Sequence, residues 1–286
     1  MAMSNPRSIL ITGCSSGIGL HAALALHRRG WRVFASARHE ADVTGLREQG
    51  LPDALRLDLA DSACIEEAVE AVLTATGGHL DALFNNGAYG QPGAVEDLSR
   101  AVLREQLEIN LLGWLELTNR VLPVMRRQGH GRIVNNSSIL GLIALPFRGA
   151  YVTSKFALEG LSDTLRLELR GSGIHVSLIE PGPITSRFRA NAYLAFKRHI
   201  DREHSPFTEA YAGAERRLAK PDTARAAFEL GPEAVFKALL HALDATRPRP
   251  RYYVTFPTRL FGMLRRLLPT TALDWLLTRV SRGENT

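Results

Sequence analysis

Two side chains four residues apart offer the clearest chemistry in this chain. Tyr151-Val152-Thr153-Ser154-Lys155 opens a stretch with helical periodicity. Residues i and i+4 share a helix face, so the phenol and the ammonium converge on one point. A free tyrosine titrates near pH ~10, and bringing it to about 7 requires roughly 4 kcal/mol of preference for phenolate. A cation about 4–5 Å away, at an effective dielectric of about 20, supplies roughly 3–4 kcal/mol. The pair therefore suits a general acid or base. Ser138 lies 13 residues before Tyr151, just past the apolar run from Gly131 to Ser137. A hydroxyl there can donate to a carbonyl oxygen as it gains negative charge. Asn110 falls inside a long helical stretch, where asparagine is a poor helix former.

A second constellation sits near the start. Thr12-Gly13-Cys14-Ser15-Ser16-Gly17-Ile18-Gly19 follows an apolar run and opens a helical one. Glycines permit a tight turn and close approach of backbone N–H groups to a diphosphate, and the helix N-terminus adds roughly half a positive charge. Asn85-Asn86-Gly87-Ala88 closes a later apolar run, and Pro181-Gly182 closes another.

The elements that must position these groups alternate. Strands are expected at Ser8 to Thr12, Arg32 to Ser36, Ala54 to Leu59, Leu80 to Phe84, Gly131 to Ser137 and Ile174 to Glu180. Helices are expected at Gly17 to Arg29, Ser62 to Thr76, Ser99 to Arg127 with Ser99 as N-cap, and Ala150 to Arg170. Beyond Pro183 the rhythm breaks into charged helical pieces, a helix from Glu233 to Ala245, a last strand at Arg251 to Thr255 and an amphipathic basic tail. Continuous apolar strands alternating with helices predict a doubly wound α/β fold, a parallel sheet covered on both faces. Ligands bind outside the carboxyl ends of such strands, where every group named above falls. The chain reads as one Rossmann-type domain over residues 1–286. It comprises a cofactor and catalytic core (5–186), a region of substrate loop, helix and last strand (187–256), and a C-terminal extension (257–286).

The glycine loop has the form TGxxxGIG. With Asn85-Asn86-Gly87, Asn110, Ser138, Tyr151-x3-Lys155 and Pro181-Gly182 in this order, the chain resembles the short-chain dehydrogenase/reductase family. The resemblance implies that Tyr151 is the acid/base, and that Lys155 lowers its pKa and holds the nicotinamide ribose. It further implies that Ser138 orients the substrate carbonyl and that Asn110 anchors a water in a proton relay. It assigns cofactor contacts to Gly13, Ser15, Ser16, Gly17, Ile18, Gly19, Asn86, Gly87, Pro181, Gly182 and Ile184, with Asp58 and Leu59 at the adenine. Two places depart from the family pattern. Asn86-Gly87-Ala88 stands where Asn-Ala-Gly is usual, and Ser186, preceded by Thr185, stands where a threonine is usual.

The second strand ends Ala35-Ser36-Ala37-Arg38, and the first acid beyond it is Glu40. An acid at the strand end would accept from the ribose 2′-OH of NAD, whereas a guanidinium suits the 2′-phosphate of NADP. The expected cofactor is therefore NADP(H), with Arg38 and Ser16 at the phosphate.

The expected activity is interconversion of a carbonyl and an alcohol, run as reduction of apolar aldehydes or ketones, because the loops at Leu140, Leu142, Ile143, Leu145 and Phe147 and at Phe188, Tyr193, Leu194 and Phe196 are apolar. The pattern looks like the 17β-hydroxysteroid and retinol dehydrogenase branch, and at least as much like bacterial NADP-dependent aldehyde reductases. A non-catalytic NADP(H)-binding sensor is opposed by the intact Ser138, Tyr151 and Lys155. A sugar-nucleotide epimerase is opposed by the loop form and the short C-terminal region.

Charge is uneven. The net charge is +6, with −2 over residues 1–186 and +8 over residues 187–286. No aromatic-basic stripe suggests nucleic acid. The basic tail is expected either to cover the substrate pocket or a subunit interface, or to lie on an anionic membrane surface. Two cysteines, Cys14 and Cys64, no signal-peptide layout and no long apolar span predict a reduced cytoplasmic protein. No metal-ligand spacing is read from the chain. The resemblance implies a homodimer or homotetramer through the long helices.

Overall fold

A computed structural model describes residues 6–219 and 227–285. Seven strands form one parallel sheet in the order β3-β2-β1-β4-β5-β6-β7. They are β1 (Ser8–Ile11), β2 (Arg32–Ala37), β3 (Leu55–Arg56), β4 (Ala82–Asn85), β5 (Gly131–Asn136), β6 (Ile174–Glu180) and β7 (Arg251–Tyr253). The order reverses direction between β1 and β4, and that switch point is where doubly wound sheets open a crevice for ligands.

The helices cover both faces because successive strand residues point to opposite sides. Ile9 and Ile11 of β1 pack with α1 (Gly17–His27), α2 (Glu40–Glu48) and α9 (Pro232–Asp244) through Leu26, Leu46, Val235 and Leu239. Leu10 and Leu83 point the other way. They pack against α3 (Ser62–Thr76), α5 (Gly113–Gln128) and α6 (Gly149–Glu168) through Ile65, Val69, Trp114, Val121 and Leu158. Both faces are dry, which is why the strands read as unbroken apolar runs.

Three expectations change. The third strand is only two residues long, because Ala54 closes a turn onto Leu51 and Leu57 turns away after bonding to Ala37. The fourth begins at Ala82 rather than Leu80. The helix expected from Ser99 to Arg127 is broken. Ser99 does cap α4 (Arg100–Leu107), accepting from the Val102 N–H at 3.2 Å. The chain then widens into a π turn over Glu108–Leu112 before α5, and Gly113 N–H bonds to the Glu108 carbonyl five residues back. Such bulges cluster at functional sites, and this one carries Asn110.

Past β6 the chain forms α7 (Phe188–His199) and α8 (Thr208–Leu218), then α9, β7, α10 (Phe256–Leu267) and α11 (Thr270–Asn285). Among the described residues no helix is long and apolar enough to cross a membrane. Cys14 and Cys64 are free and buried.

Candidate active site

The glycine loop and the turn after β4 are built against each other. Gly13 adopts φ +70, and a Cβ there would lie 2.5 Å from Gly87 Cα. A Cβ on Gly19 would lie 2.2 Å from the Gly13 carbonyl oxygen. Thr12 Oγ1 accepts from the N–H groups of Asn86 and Gly87, both at 2.8 Å. Asn86 Nδ2 donates back to the Thr12 carbonyl at 3.0 Å, and Trp114 Nε1 donates to the Gly87 carbonyl at 2.8 Å. The swapped order Asn86-Gly87-Ala88 is thereby accommodated, because position 87 is the one pressed against Gly13.

This loop fits a diphosphate. Ser16, at the N-cap of α1, is extended and makes no side-chain cap bond, and the first turn carries no acid. The N–H groups at this terminus and the helix dipole thus face the crevice uncompensated by side chains of α1. Ser15 is exposed, and Ile18 packs against the core below. Of the two hydroxyls after Pro181-Gly182, Thr185 turns to Glu229 at 2.6 Å. Ser186 is the one brought to the loop, its Cβ 2.9 Å from where a Gly17 methyl would sit. Pro181 is tied by its carbonyl to the Ile139 N–H at 2.8 Å, Gly182 sits against Thr255, and Ile184 bridges to Leu230.

At the other end of the crevice, Arg38 follows β2 and is exposed. Arg56, at the end of β3, donates Nε to the Arg38 main-chain carbonyl at 3.3 Å, which brings a second basic residue to the end of β2. The reading from sequence missed Arg56, because only the register Ala37↔Arg56 brings β3 beside β2. Glu40, the nearest acid in sequence, lies on α2 and pairs with Arg47 at 3.8 Å. Asp58 Oδ1 accepts from the Ala60 N–H at 3.1 Å, and Leu59 is buried against Gly87 and Gly113.

The catalytic candidates converge at the ends of β5 and α6. Ser138 Oγ accepts from the Leu140 N–H at 3.1 Å and is hydrogen-bonded to the Tyr151 phenol. Lys155 is buried, donates Nζ to the Asn136 carbonyl at 2.8 Å, and lies 4.4 Å from the centre of the Trp114 ring. Asn136 Nδ2 donates to Asn86 Oδ1 at 2.9 Å. A continuous polar chain thus runs from the glycine loop through Asn86 and Asn136 to Lys155.

The electrostatics correct the arithmetic drawn from spacing alone. Burial pushes the Tyr151 phenol up to about 12, against the smaller lowering influences of Ser138 and Arg148. Burial pushes the Lys155 ammonium down to about 7, with the Glu159 carboxylate opposing. Desolvation is the leading influence on both groups because both lie in a low-dielectric interior. The protein by itself therefore holds Tyr151 protonated, the form that donates to a carbonyl oxygen.

Asn110 is fully buried, and its amide is spent on backbone. Nδ2 donates to the Tyr89 carbonyl at 2.8 Å and to Ser154 Oγ at 3.3 Å, and Oδ1 accepts from the Tyr89 N–H at 3.2 Å. Gln106, one turn earlier, bonds the same carbonyl at 3.0 Å and the Gln91 N–H at 2.7 Å. These two amides pin the segment from Tyr89 to Gln91.

Over Tyr151 lies an apolar cluster. Leu140 and Ile143 pack with Phe261 of α10 and Leu277 of α11, flanked by Leu145, Leu264, Leu273 and Leu276. Arg265 crosses from α10 to donate to the Leu142 carbonyl. Phe188 stacks edge-on to the Tyr151 ring at 5.2 Å. The other apolar residues assigned to the substrate side divide. Phe147, Tyr193 and Phe196 build a separate small core with Tyr211, and Leu194 is 67% exposed.

Residues 7–195 match the family of the short chain dehydrogenases. The chain is 42% identical over 271 residues to an uncharacterized oxidoreductase of Escherichia coli, YbbO, covering 95% of this chain and 94% of that protein. It is 35% identical over 259 residues to human 17-beta-hydroxysteroid dehydrogenase type 1, covering 86% of this chain and 77% of that one. A short-chain dehydrogenase of Streptomyces avermitilis superimposes with a TM-score of 0.78 at 29% identity, covering 99% of each chain. The glycine cradle, the Ser138–Tyr151 contact and the buried Lys155 are thus carried on the sheet and helices that those proteins share, and the chain belongs to the short-chain dehydrogenase/reductase family of nicotinamide-dependent oxidoreductases.

Proposed function

We propose that this protein is an NADP(H)-dependent reductase of apolar aldehydes or ketones. The observation that carries the reading is the contact between Ser138 and a protonated, buried Tyr151 beneath an apolar roof. The glycine loop and Lys155 would hold NADPH, which would supply the hydride, while the chain itself supplies the accompanying proton and holds the reactants. Tyr151 gives its phenolic proton to the carbonyl oxygen, so carbonyl, hydride and proton together yield the alcohol. Ser138 turns its hydroxyl hydrogen to that oxygen as negative charge develops there. Lys155, fixed by the Asn136 carbonyl, would hold the nicotinamide ribose beside the phenol. Asn110, with Nδ2 donating to the Tyr89 carbonyl and Ser154 Oγ and Oδ1 accepting from the Tyr89 N–H, anchors the water that returns a proton to Tyr151. Leu140, Ile143, Phe188 and Phe261 exclude water and favour substrates with an extended apolar body. A hydroxysteroid- or retinol-type alcohol is the second reading, favoured by that same apolar roof.

The NADP preference rests on Arg38 after β2, on Arg56 tied to the Arg38 main-chain carbonyl, and on the lack of a carboxylate at the end of β2. Charged hydrogen bonds of this kind are worth about 1.5–3 kcal/mol each. Steady-state oxidation of NADPH and NADH with a panel of aliphatic and aromatic aldehydes, ketones and steroids tests both parts. Arg38→Ala should lower kcat/KM for NADPH at least about 10-fold, and Arg38→Ala with Arg56→Ala should lower it further, while NADH is little affected. Equal loss with both cofactors would sink the NADP assignment. Turnover by Tyr151→Phe equal to wild type would sink the mechanism.

A further inference from the structure

At the opposite end of the sheet, three side chains distant in sequence meet. His79 follows α3, Asp81 precedes β4 and His130 precedes β5. One ligand atom from each lies within 4.8 Å of the others. We propose that His79, Asp81 and His130 form a binding site for a divalent late-transition ion of the Zn²⁺ class, separate from the active site.

The argument begins with His130. Its Nδ1 lies 3.2 Å from the Gln128 carbonyl, which has no hydrogen to give. Nδ1 therefore carries the hydrogen, and Nε2 is left facing Asp81 Oδ1 at 3.2 Å. A neutral ring would then point a lone pair at a carboxylate oxygen. That arrangement is favourable only with a positive centre between or beside them, either a proton on Nε2 or a metal ion. The separation of 3.2 Å is that of a hydrogen bond and also that of two ligands sharing one ion. Two ligands about 2.0–2.1 Å from a tetrahedral Zn²⁺ lie about 3.3 Å apart.

The surrounding bonds orient these ligands in the way metal sites require. Asp81 Oδ2 is occupied by the Ser8 N–H at 2.7 Å and the Ser8 hydroxyl at 3.1 Å, which fixes the carboxylate with Oδ1 turned to His130. The Gln128 carbonyl plays the same part for His130. His79 is positioned through its backbone, whose N–H donates to Thr76 Oγ1 at 3.2 Å, and its ring centre lies 5.7 Å from that of His130. The His79 ring is exposed and closes the remaining ångström or so by side-chain rotation. Two imidazoles and one carboxylate with an outward fourth position suit Zn²⁺, Co²⁺, Ni²⁺ or Cu²⁺ better than Mg²⁺ or Ca²⁺, which prefer all-oxygen shells. The strand β5 separates this cluster from Ser138 by roughly 20 Å. The ion would tie α3, β4 and β5 together at their ends, with β1 attached through Ser8, and would take no part in hydride transfer.

The test uses the full chain, stripped with a chelator and freed of any histidine tag. Calorimetric titration with Zn²⁺ should show one site per chain. His79→Gln and His130→Gln should each weaken it at least about 10-fold, while NADPH binding and turnover stay at the wild-type level. Co²⁺ added to wild type should give the intense visible absorption of a four-coordinate ion, and this reading needs no variant to fold. Zn²⁺ uptake equal in wild type and the double variant, or no such Co²⁺ spectrum in wild type, would overturn the proposal.

Discussion

Replacing Asn110 by alanine separates two roles that one residue can play. The side chain makes two hydrogen bonds to Tyr89, at 3.2 Å to its N–H and 2.8 Å to its carbonyl. The carbonyl keeps a second donor, Gln106 Nε2 at 3.0 Å, and Ser154 Oγ keeps the Tyr151 carbonyl at 2.7 Å. Only the Tyr89 N–H is orphaned. An unpaired donor in a mostly buried place costs about 1–3 kcal/mol, and the small void beside it adds to that. A loss of about 1.5–3 kcal/mol follows. Unfolding entropy near 2.1 cal/mol/K per residue gives roughly 0.6 kcal/mol per kelvin for this chain, so Tm should fall by about 3–5 °C. Calorimetry measures this directly. Activity should fall as well, because Gly90 presses on Phe188, whose ring packs on Tyr151. Gln106→Ala, which orphans the Gln91 N–H, should act in the same direction on both readouts. If Asn110→Ala lost kcat but kept its Tm within 1 °C, the pinning of Tyr89 by Asn110 would be refuted, and the residue would act in proton transfer alone.

Three further outcomes follow from the geometry. Glu180 is buried beside Glu159 and Arg251, and burial raises its carboxyl from 4.5 to about 8. The folded state therefore binds its proton more tightly than the unfolded chain, so its contribution to stability is full below about 4.5 and lost as pH rises through about 8. The Tm of wild type relative to Glu180→Gln should fall steadily across that window, and a flat difference would refute the assignment. A Cβ at Gly113 would lie 2.0 Å from the Leu59 carbonyl oxygen, so Gly113→Ala should push α5 off the cofactor side. It should destabilise the fold by about 1–3 kcal/mol, measured by urea denaturation. Deleting residues 257–286 removes Phe261 and Leu277 from the roof over Tyr151 and should abolish reduction of apolar substrates. Retained activity and oligomer size with lost binding to anionic vesicles would instead assign the basic tail to a membrane surface.

Much of the chemistry was legible in the linear order. Glycine spacing, a strand-end serine and an i,i+4 tyrosine–lysine pair are local patterns, because a tight turn and a helix face are set by residues within a few positions of each other. Strand and helix identities were legible for the same reason, since dry faces on both sides of a sheet demand unbroken apolar runs. Tertiary structure decided what depends on partners far along the chain. The π turn at Asn110 rests on amide bonds to Tyr89, twenty-one residues away. Arg56 joins Arg38 only through the pairing of β2 with β3. The phenol is driven upward because folding buries it, a desolvation that no spacing reports. His79, Asp81 and His130 meet only because β4 and β5 begin side by side. The charge boundary near residue 186 was visible in composition, but only packing turned part of the basic tail inward, with Arg265 reaching the active-site loop through the Leu142 carbonyl.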